Sequence, residues 1–251
     1  MAMWRYNLQR VGDRLGRAMP AGAREAVLDA LAVISPVDCA GCGAPDRAIC
    51  GPCRGALAPA VTRRTLESGL TVYTALVYEG RVRATILAFK ESGRTDAAGP
   101  LAAALRAALA AAVGHTPVGA RSSRGDAGPG PPVEILTVPP SRSGRRRRGY
   151  DPVGWLAARA GAAASAPLRS RRTGAHQKTL GADERRANVE GSMHALGSLD
   201  GRRFVIVDDV VTTGATLHEV ARAVREAGGE VVCGAAVAYT PRRFQYTRYP
   251  H

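Results

Sequence analysis

Residues 205–217, Val-Ile-Val-Asp-Asp-Val-Val-Thr-Thr-Gly-Ala-Thr-Leu, carry the pattern that decides the fold. Val205, Ile206 and Val207 are consecutive β-branched residues, the composition of a strand buried on both faces. Asp208 and Asp209 stand where that strand is expected to end. Thr212-Thr213-Gly214-Ala215-Thr216 is small and hydroxyl-rich. From Leu217 onward apolar residues recur at helical spacing, with Leu217, Val220, Ala221 and Val224 on one face. The order is strand, acidic pair, hydroxyl loop, helix.

Each piece has a chemical reading. A loop entering a helix presents unpaired backbone N–H groups and the positive end of the helix dipole, which suits a phosphate. Thr212, Thr213 and Thr216 add hydroxyl donors, and Gly214 permits a positive φ or a close backbone approach. Two ionised carboxylates repel phosphate, but they accept hydrogen bonds from vicinal hydroxyls and hold Mg²⁺ through water. A sugar phosphate with two free hydroxyls satisfies all of these groups.

Working outward, Val133–Val138 is a second buried-strand candidate. It ends in Pro139-Pro140 and runs into Ser141-Arg142-Ser143-Gly144-Arg145-Arg146-Arg147-Arg148-Gly149-Tyr150. A helix is expected from about Pro152 to Ala164, with proline in its first turn. Val72–Tyr78 reads as a strand, Gly80 to Lys90 as helical, and Leu101–Val113 as an alanine-rich helix. Alternating strands and helices predict an α/β fold with a parallel sheet and ligands at the carboxyl ends of its strands. The arginine-rich loop and the Asp-Asp loop then open on one edge. Residues 114–132, rich in Gly, Pro and Ser, read as a mobile loop inserted in that domain.

Four of the five cysteines fall in Cys39-Ala-Gly-Cys42 and Cys50-Gly-Pro-Cys53, with seven residues between the pairs. Two such knuckles bring four thiolates into a tetrahedron, the usual geometry of structural Zn²⁺. A thioredoxin-type redox pair, an iron–sulfur site and disulfides are the alternatives; no strand–helix pattern surrounds Cys-Gly-Pro-Cys here. Cys233, in the apolar run 231–237, reads as a buried strand residue.

A chain of 251 residues with 45% hydrophobic residues supports one large domain with a small appendage. No run reaches the roughly 18 uninterrupted apolar residues of a membrane span, and the first ten residues lack a secretory h-region. No membrane insertion and a cytoplasmic location are the expectations. The net charge of +14 attracts polyanions, single-stranded DNA among them. An aromatic content of 5% weakens a base-stacking platform. Only Lys90 and Lys178 are lysines among 35 cationic residues, so Lys90 stands out in a chain that otherwise uses arginine.

Residues 205–217 resemble the phosphoribosyl-pyrophosphate (PRPP) signature of type I phosphoribosyltransferases along their whole length. That resemblance implies that Thr212, Thr213, Gly214, Ala215 and Thr216 hold the 5-phosphate, that Val210 lines the PRPP site, that Asp208 and Asp209 hold the ribose hydroxyls as the catalytic candidates, and that Mg²⁺ accompanies PRPP. In such chemistry the arginines aim at the departing pyrophosphate, which makes Pro140, Ser141, Arg142 and Arg148 candidates. Gln177, Arg185 and Asn188 lie in a polar stretch suited to a lid, and Lys90 joins them as a candidate. The order of cysteine knuckles, Tyr78, Phe89-Lys90, Val138-Pro139-Pro140, Arg148-Gly149-Tyr150, Gln177, Arg185, Asn188 and the PRPP motif is similar to the ComF family. These are amidophosphoribosyltransferase-like proteins linked to competence for DNA uptake. The resemblance runs from about residue 28 to 240. Three departures are Val138-Pro139-Pro140 in place of Val-Pro-Val-Pro, Tyr150-Asp151 in place of Phe-Asn, and a longer loop at 114–132. It implies a type I phosphoribosyltransferase fold, a parallel twisted sheet flanked by helices, with a small N-terminal zinc module built on the four cysteines. The expected organisation is a helical segment over 1–35, the zinc-ribbon-like module over 36–60, the phosphoribosyltransferase-like domain over 61–240 and a tail over 241–251. The function it implies is transfer of phosphoribosyl from PRPP to an acceptor. The alternative is a non-catalytic PRPP sensor or a single-stranded-DNA-binding accessory of DNA uptake.

Overall fold

The computed structural model describes residues 37–115, 132–140, 144, 146, 148–170 and 191–241. The helical segment expected over 1–35, most of the 114–132 loop, Ser141, Arg142, Gln177, Arg185, Asn188 and nearly all of the tail lie outside the described residues.

Along the chain, helix α1 (Gly51–Ala56) precedes strands β1 (Thr62–Thr65) and β2 (Thr71–Val77). Helix α2 (Gly80–Ser92) and a 3₁₀ turn (Thr95–Ala97) lead to helix α3 (Ala98–Gly114). Strand β3 (Val133–Thr137) is followed by helix α4 (Pro152–Arg159) and the short strands β4 (Ala164–Ser165), β5 (Leu168–Ser170) and β6 (Met193–Ala195). Strand β7 (Arg203–Val211), helix α5 (Ala215–Glu226) and strand β8 (Glu230–Tyr239) close the fold.

The chain divides into two compact units, Met1–Ala56 with Gly80–Gly99, and Leu57–Glu79 with Pro100–His251. In the first, α1 packs on α2. Val82, Ile86 and Phe89 of α2 are buried at spacings of four and three residues, one helical face.

In the second unit the sheet order is β1-β2-β8-β7-β3-β4. Within this sheet only β1 is antiparallel; β2, β8, β7, β3 and β4 run parallel. The mixed α/β fold with a parallel sheet expected from the alternating pattern is present. Phe204 and Ile206 of β7 pack with Val72, Leu136 and Ala236 against Leu217, Val220, Ala221 and Val224 of α5. Full burial of side chains such as Phe204 and Ile206 contributes about 1.5–3 kcal/mol each. The other face of β7 meets α4. A separate two-stranded ribbon, β5–β6, is antiparallel and packs on α5.

Two expectations are corrected. Strand β7 does not end at the acidic pair but continues to Val211. Its parallel neighbour β8 reaches equally far and pairs Asp208 with Ala236, Val210 with Ala238 and Val211 with Tyr239. Helix α4 stops at Arg159 instead of running to Ala164. Gly161 takes a φ of 86°, and Ala164–Ser165 pair with Ile135–Leu136 as an edge strand. Arg106 fixes this terminus by donating to the carbonyls of Ala160 at 3.1 Å and Arg159 at 3.2 Å.

The stretch Thr95–Gly114 is long and apolar enough to cross a membrane by length and composition. Its Leu101, Ala104, Leu105, Ala108 and Ala112 are buried inside the protein, as in a core helix.

Candidate functional site

Strand β7 carries Asp208 and Asp209 to the carboxyl edge of the sheet. Asp209 is buried at 6% exposure, and Asp208 is half-buried. The Asp209 N–H donates to Asp208 Oδ1 at 2.8 Å, which turns the first carboxylate along the chain toward the second residue. Thr212 and Thr213 follow at the exposed rim. Gly214 is the N-cap of α5 with φ 81°, the left-handed conformation that an L side chain resists. Thr213 Oγ1 accepts from the Ala215 N–H at 3.3 Å. Helix α5 has 12 residues, and the N–H groups of its first turn point out past Gly214. The edge thus pairs two carboxylates with a hydroxyl-rich loop and a positive helix end.

The neighbouring loop leaves from the same edge, because β3 is parallel to β7 and pairs Thr137 with Val207. Val138 N–H donates to the Val207 carbonyl at 3.0 Å, so Pro139 and half-buried Pro140 depart next to Asp208. Arg148 is half-buried near the far end of this loop. The chain then enters α4 through a built junction. Asp151 Oδ1 accepts from the N–H groups of Val153 and Gly154, both at 3.1 Å, and Pro152 fills the first helical position. Tyr150 and Trp155 meet edge to face with centroids 5.3 Å apart, the positions of a hydrophobic staple. Aromatic Phe and capping Asn would do the same work, so Tyr150-Asp151 preserves the chemistry of this junction.

Lys90 lies in the last turn of α2, in the other compact unit.

Two contacts at this site were beyond the sequence reading. A Cβ built on Gly214 would stand 2.5 Å from Leu66 Cδ1, so the β1–β2 hairpin closes directly over the loop. On α5, Glu219 is 2% exposed and joined to Arg222. Arg222 Nε donates to Glu219 Oε2, and Nη2 to Oε1, each at 2.7 Å. Burial works to raise the pKa of Glu219, but Arg222 and the N–H groups of Met193 and Gly191 outweigh it and hold the carboxyl below its ordinary range. In sequence, Glu219 and Arg222 look like a solvated i,i+3 pair, which hides their role. A cleft lined by His194, Ser198, Asp200 and Arg225 lies at the opposite, C-terminal end of α5.

The cysteine cluster forms within the first unit. The Sγ atoms of Cys39, Cys42, Cys50 and Cys53 all lie within 4.8 Å of one another. Cys50 N–H donates to Cys39 Sγ at 3.3 Å. A Cβ on Gly41 would fall 2.8 Å from Cys53 Sγ and 2.9 Å from Thr85 Oγ1, so only glycine lets the knuckle approach. Arg94, paired with Asp96, donates to the Asp38 carbonyl at 2.7 Å and anchors the knuckle's entry. Burial disfavours the Cys39 thiolate, yet the N–H groups of Cys50, Gly41 and Cys42 bring its pKa down to about 6. Burial and the neighbouring thiols push Cys53 up. Four sulfurs this close cannot all ionise without a cation between them. An all-sulfur donor set of this size could hold a metal such as zinc. Cys233, by contrast, is buried in β8 with its pKa raised by desolvation to about 11, an inert thiol as expected.

Residues 148–247 match the family described as phosphoribosyl transferase domain. A 47-residue stretch is 47% identical to the ribose-phosphate pyrophosphokinase of Vibrio cholerae serotype O1, covering 19% of this chain and 15% of that protein. A 36-residue stretch is 53% identical to the transcriptional regulator GfcR of Methanobrevibacter smithii, 14% of this chain and 18% of that one. The chain therefore spans about 15% of the length of the first of these curated relatives. Among solved structures it is similar to an adenine phosphoribosyltransferase, with TM-score 0.34 and 14% identity over 74% of this chain and 89% of that one. It is also similar to the orotate phosphoribosyltransferase from Aeropyrum pernix, with TM-score 0.28 and 18% identity over 74% and 77%. Over residues 148–247 the chain is thus similar to a phosphoribosyl transferase domain.

Proposed function

We propose that this chain binds PRPP with Mg²⁺ and transfers its phosphoribosyl group to an acceptor nucleophile. The observation that carries the reading is the edge formed by β7 and α5, where Asp208 and Asp209 adjoin a Thr-Thr-Gly loop capped by a left-handed glycine at a helix N-terminus. The loop from Thr212 to Thr216 takes the 5-phosphate through backbone N–H groups and hydroxyls. Asp208 and Asp209 accept from the 2- and 3-hydroxyls, which orients C1 of the sugar. The C1–O bond to pyrophosphate breaks with its electron pair leaving on oxygen, and the acceptor's lone pair forms the new bond to C1. Positive charge develops on the ring, which the negative charge of the two carboxylates favours. In this reading Arg148, and Arg142 by its place in the sequence, serve the departing pyrophosphate. Mg²⁺, when bound, neutralises charge on that leaving group. Zn²⁺ held by Cys39, Cys42, Cys50 and Cys53 is structural in this reading.

The motif order supports a place beside the ComF-like, competence-associated proteins, with work in the cytoplasm near imported single-stranded DNA. One relative is named a pyrophosphokinase and another a transcriptional regulator. Likeness over this segment therefore leaves ligand sensing without transfer as the second reading.

Calorimetric titration of PRPP with Mg²⁺ into the protein tests the proposal. Saturable binding should weaken at least tenfold in Asp208→Ala/Asp209→Ala, and pyrophosphate release with added acceptors then separates transfer from sensing. An absence of heat in the unaltered protein, with no competition by ribose 5-phosphate, would remove the reading.

A further inference from the structure

Helix α5 has two jobs that meet at one buried carboxylate. Its first turn, starting at Gly214, forms the phosphate end of the cradle. Its middle turns carry Glu219 and Arg222, and these hold not the sheet but the separate ribbon β5–β6. Glu219 Oε1 accepts from the Met193 N–H at 2.8 Å, while Arg222 Nη2 donates to the Met193 carbonyl at 2.9 Å. Both polar groups of one β6 residue are thus held by a single ion pair on the helix. Arg222 is further tied to Glu226 one turn on. Met193 is itself buried, as is Leu168, and β5 and β6 are joined through Leu168–Ala195, Arg169–His194 and Ser170–Met193.

A buried ion pair is a poor source of net stability, since desolvation offsets its attraction; where it specifies one register, it acts as an alignment device. Apolar contacts alone would let a strand of three residues slide on the helix. Fixing the N–H and the carbonyl of one residue stops sliding in either direction. Glu219 sits about one and a half helical turns from Gly214 and Arg222 just over two, so a shift of the helix end on phosphate binding reaches the ribbon through rigid backbone.

We propose that Glu219 and Arg222 are positioning residues that lock the β5–β6 ribbon to the cradle helix, so that occupancy of the sugar-phosphate site and the order of the ribbon are coupled. This rests on the PRPP reading of the cradle. In that reading the carboxylates of Asp208 and Asp209 touch the sugar, whereas Glu219 and Arg222 hold the Met193 backbone of the ribbon and act through α5.

Amide hydrogen exchange on the full chain, with and without PRPP and Mg²⁺, tests it in the unaltered protein, in Glu219→Gln, in Arg222→Met and in the double variant. In the unaltered protein, saturating PRPP should slow exchange at the Met193 amide at least fivefold. Glu219→Gln should speed exchange there at least tenfold without ligand and abolish the PRPP-linked slowing, while the amides of β7 and β8 keep their protection. The double variant should be no worse than the poorer single one, because the two residues act as a unit. Unchanged Met193 exchange in Glu219→Gln, or PRPP-linked slowing that persists in it, would overturn the proposal. A uniform loss of protection across β7, β8 and the ribbon would equally overturn it, showing a general stabilising role only. If PRPP binds none of the proteins, the cradle reading fails separately. Inorganic phosphate then serves as the probe for α5, and a Met193 amide that it slows equally in the unaltered protein and in Glu219→Gln overturns the coupling.

Discussion

A side chain at position 214 meets two obstacles of different kinds. The backbone φ of 81° is strained for any L residue, and a Cβ would lie 2.5 Å from Leu66 Cδ1. The first obstacle is fixed by the turn from β7 into α5; the second is the end of a flexible side chain and can yield. Gly214→Ala should therefore lose about 1–2 kcal/mol of stability and weaken PRPP binding about tenfold, because the loop must retract from the phosphate. Adding Leu66→Ala should relieve the steric part and leave the φ strain, so that denaturation midpoints recover only partly and PRPP affinity stays low. Full recovery in the double variant would mean that the left-handed backbone is incidental. The sequence showed the need for glycine here, since Thr-Thr-Gly before a helix asks for positive φ. It could not show Leu66, which lies far off in the chain in a hairpin with no motif of its own. The same holds for Glu219, whose partner Met193 is a single ordinary residue.

At the level of elements, period and composition located β2, β3, β8 and the helices α2, α3 and α5 well, because the strands are short runs of mainly apolar residues and the helices bury apolar residues at helical spacing. Ends were less legible. Strand β7 outruns the acidic pair because its length is set by β8 beside it, and carboxylates inside a strand carry no local sign of that. Helix α4 ends early because Ala164–Ser165 finds a strand to pair with, again a non-local choice. The cysteine knuckles illustrate the opposite case, in which spacing alone located a cluster that the fold then brings within 4.8 Å. Among the described residues, the large apolar side chains buried in this unit are chiefly Ile49, Val82, Ile86 and Phe89, and a region with so small a core depends on metal for stability. One zinc per chain is expected by metal analysis. Stripping it with a strong chelator, or Cys50→Ser, should raise amide exchange in α1 and α2 at least tenfold while β7 and β8 remain protected. Equal protection of α2 with and without metal would favour the redox alternative.

Across the whole molecule, charge sets the response to acid. With 35 cationic against 21 acidic residues, lowering the pH neutralises the minority sign and leaves the arginines to repel one another. Two carboxylates with partners add to this, Glu134 beside Arg202 and Glu219 beside Arg222, both held below their ordinary value of 4.5. For Glu134 the bidentate Arg202 is the main cause, but both groups are about a third exposed, so its share is small. Glu219 is the deeper site. Since its folded pKa is depressed, its contribution is complete above 4.5 and disappears as pH falls through the lower folded value. The protein should therefore lose stability steadily as the pH falls below about 5. Glu219→Gln should be less stable at neutral pH by about 1–3 kcal/mol, less than a fully buried pair because Arg222 is partly solvated. The gap between the two proteins should close as the pH falls, because the unaltered carboxyl is then protonated and resembles glutamine. Urea midpoints across that range measure the gap directly. A difference that stays constant with pH would mean that Glu219 is not the ionised partner of Arg222, and that the bond between helix α5 and its ribbon depends on packing instead of charge.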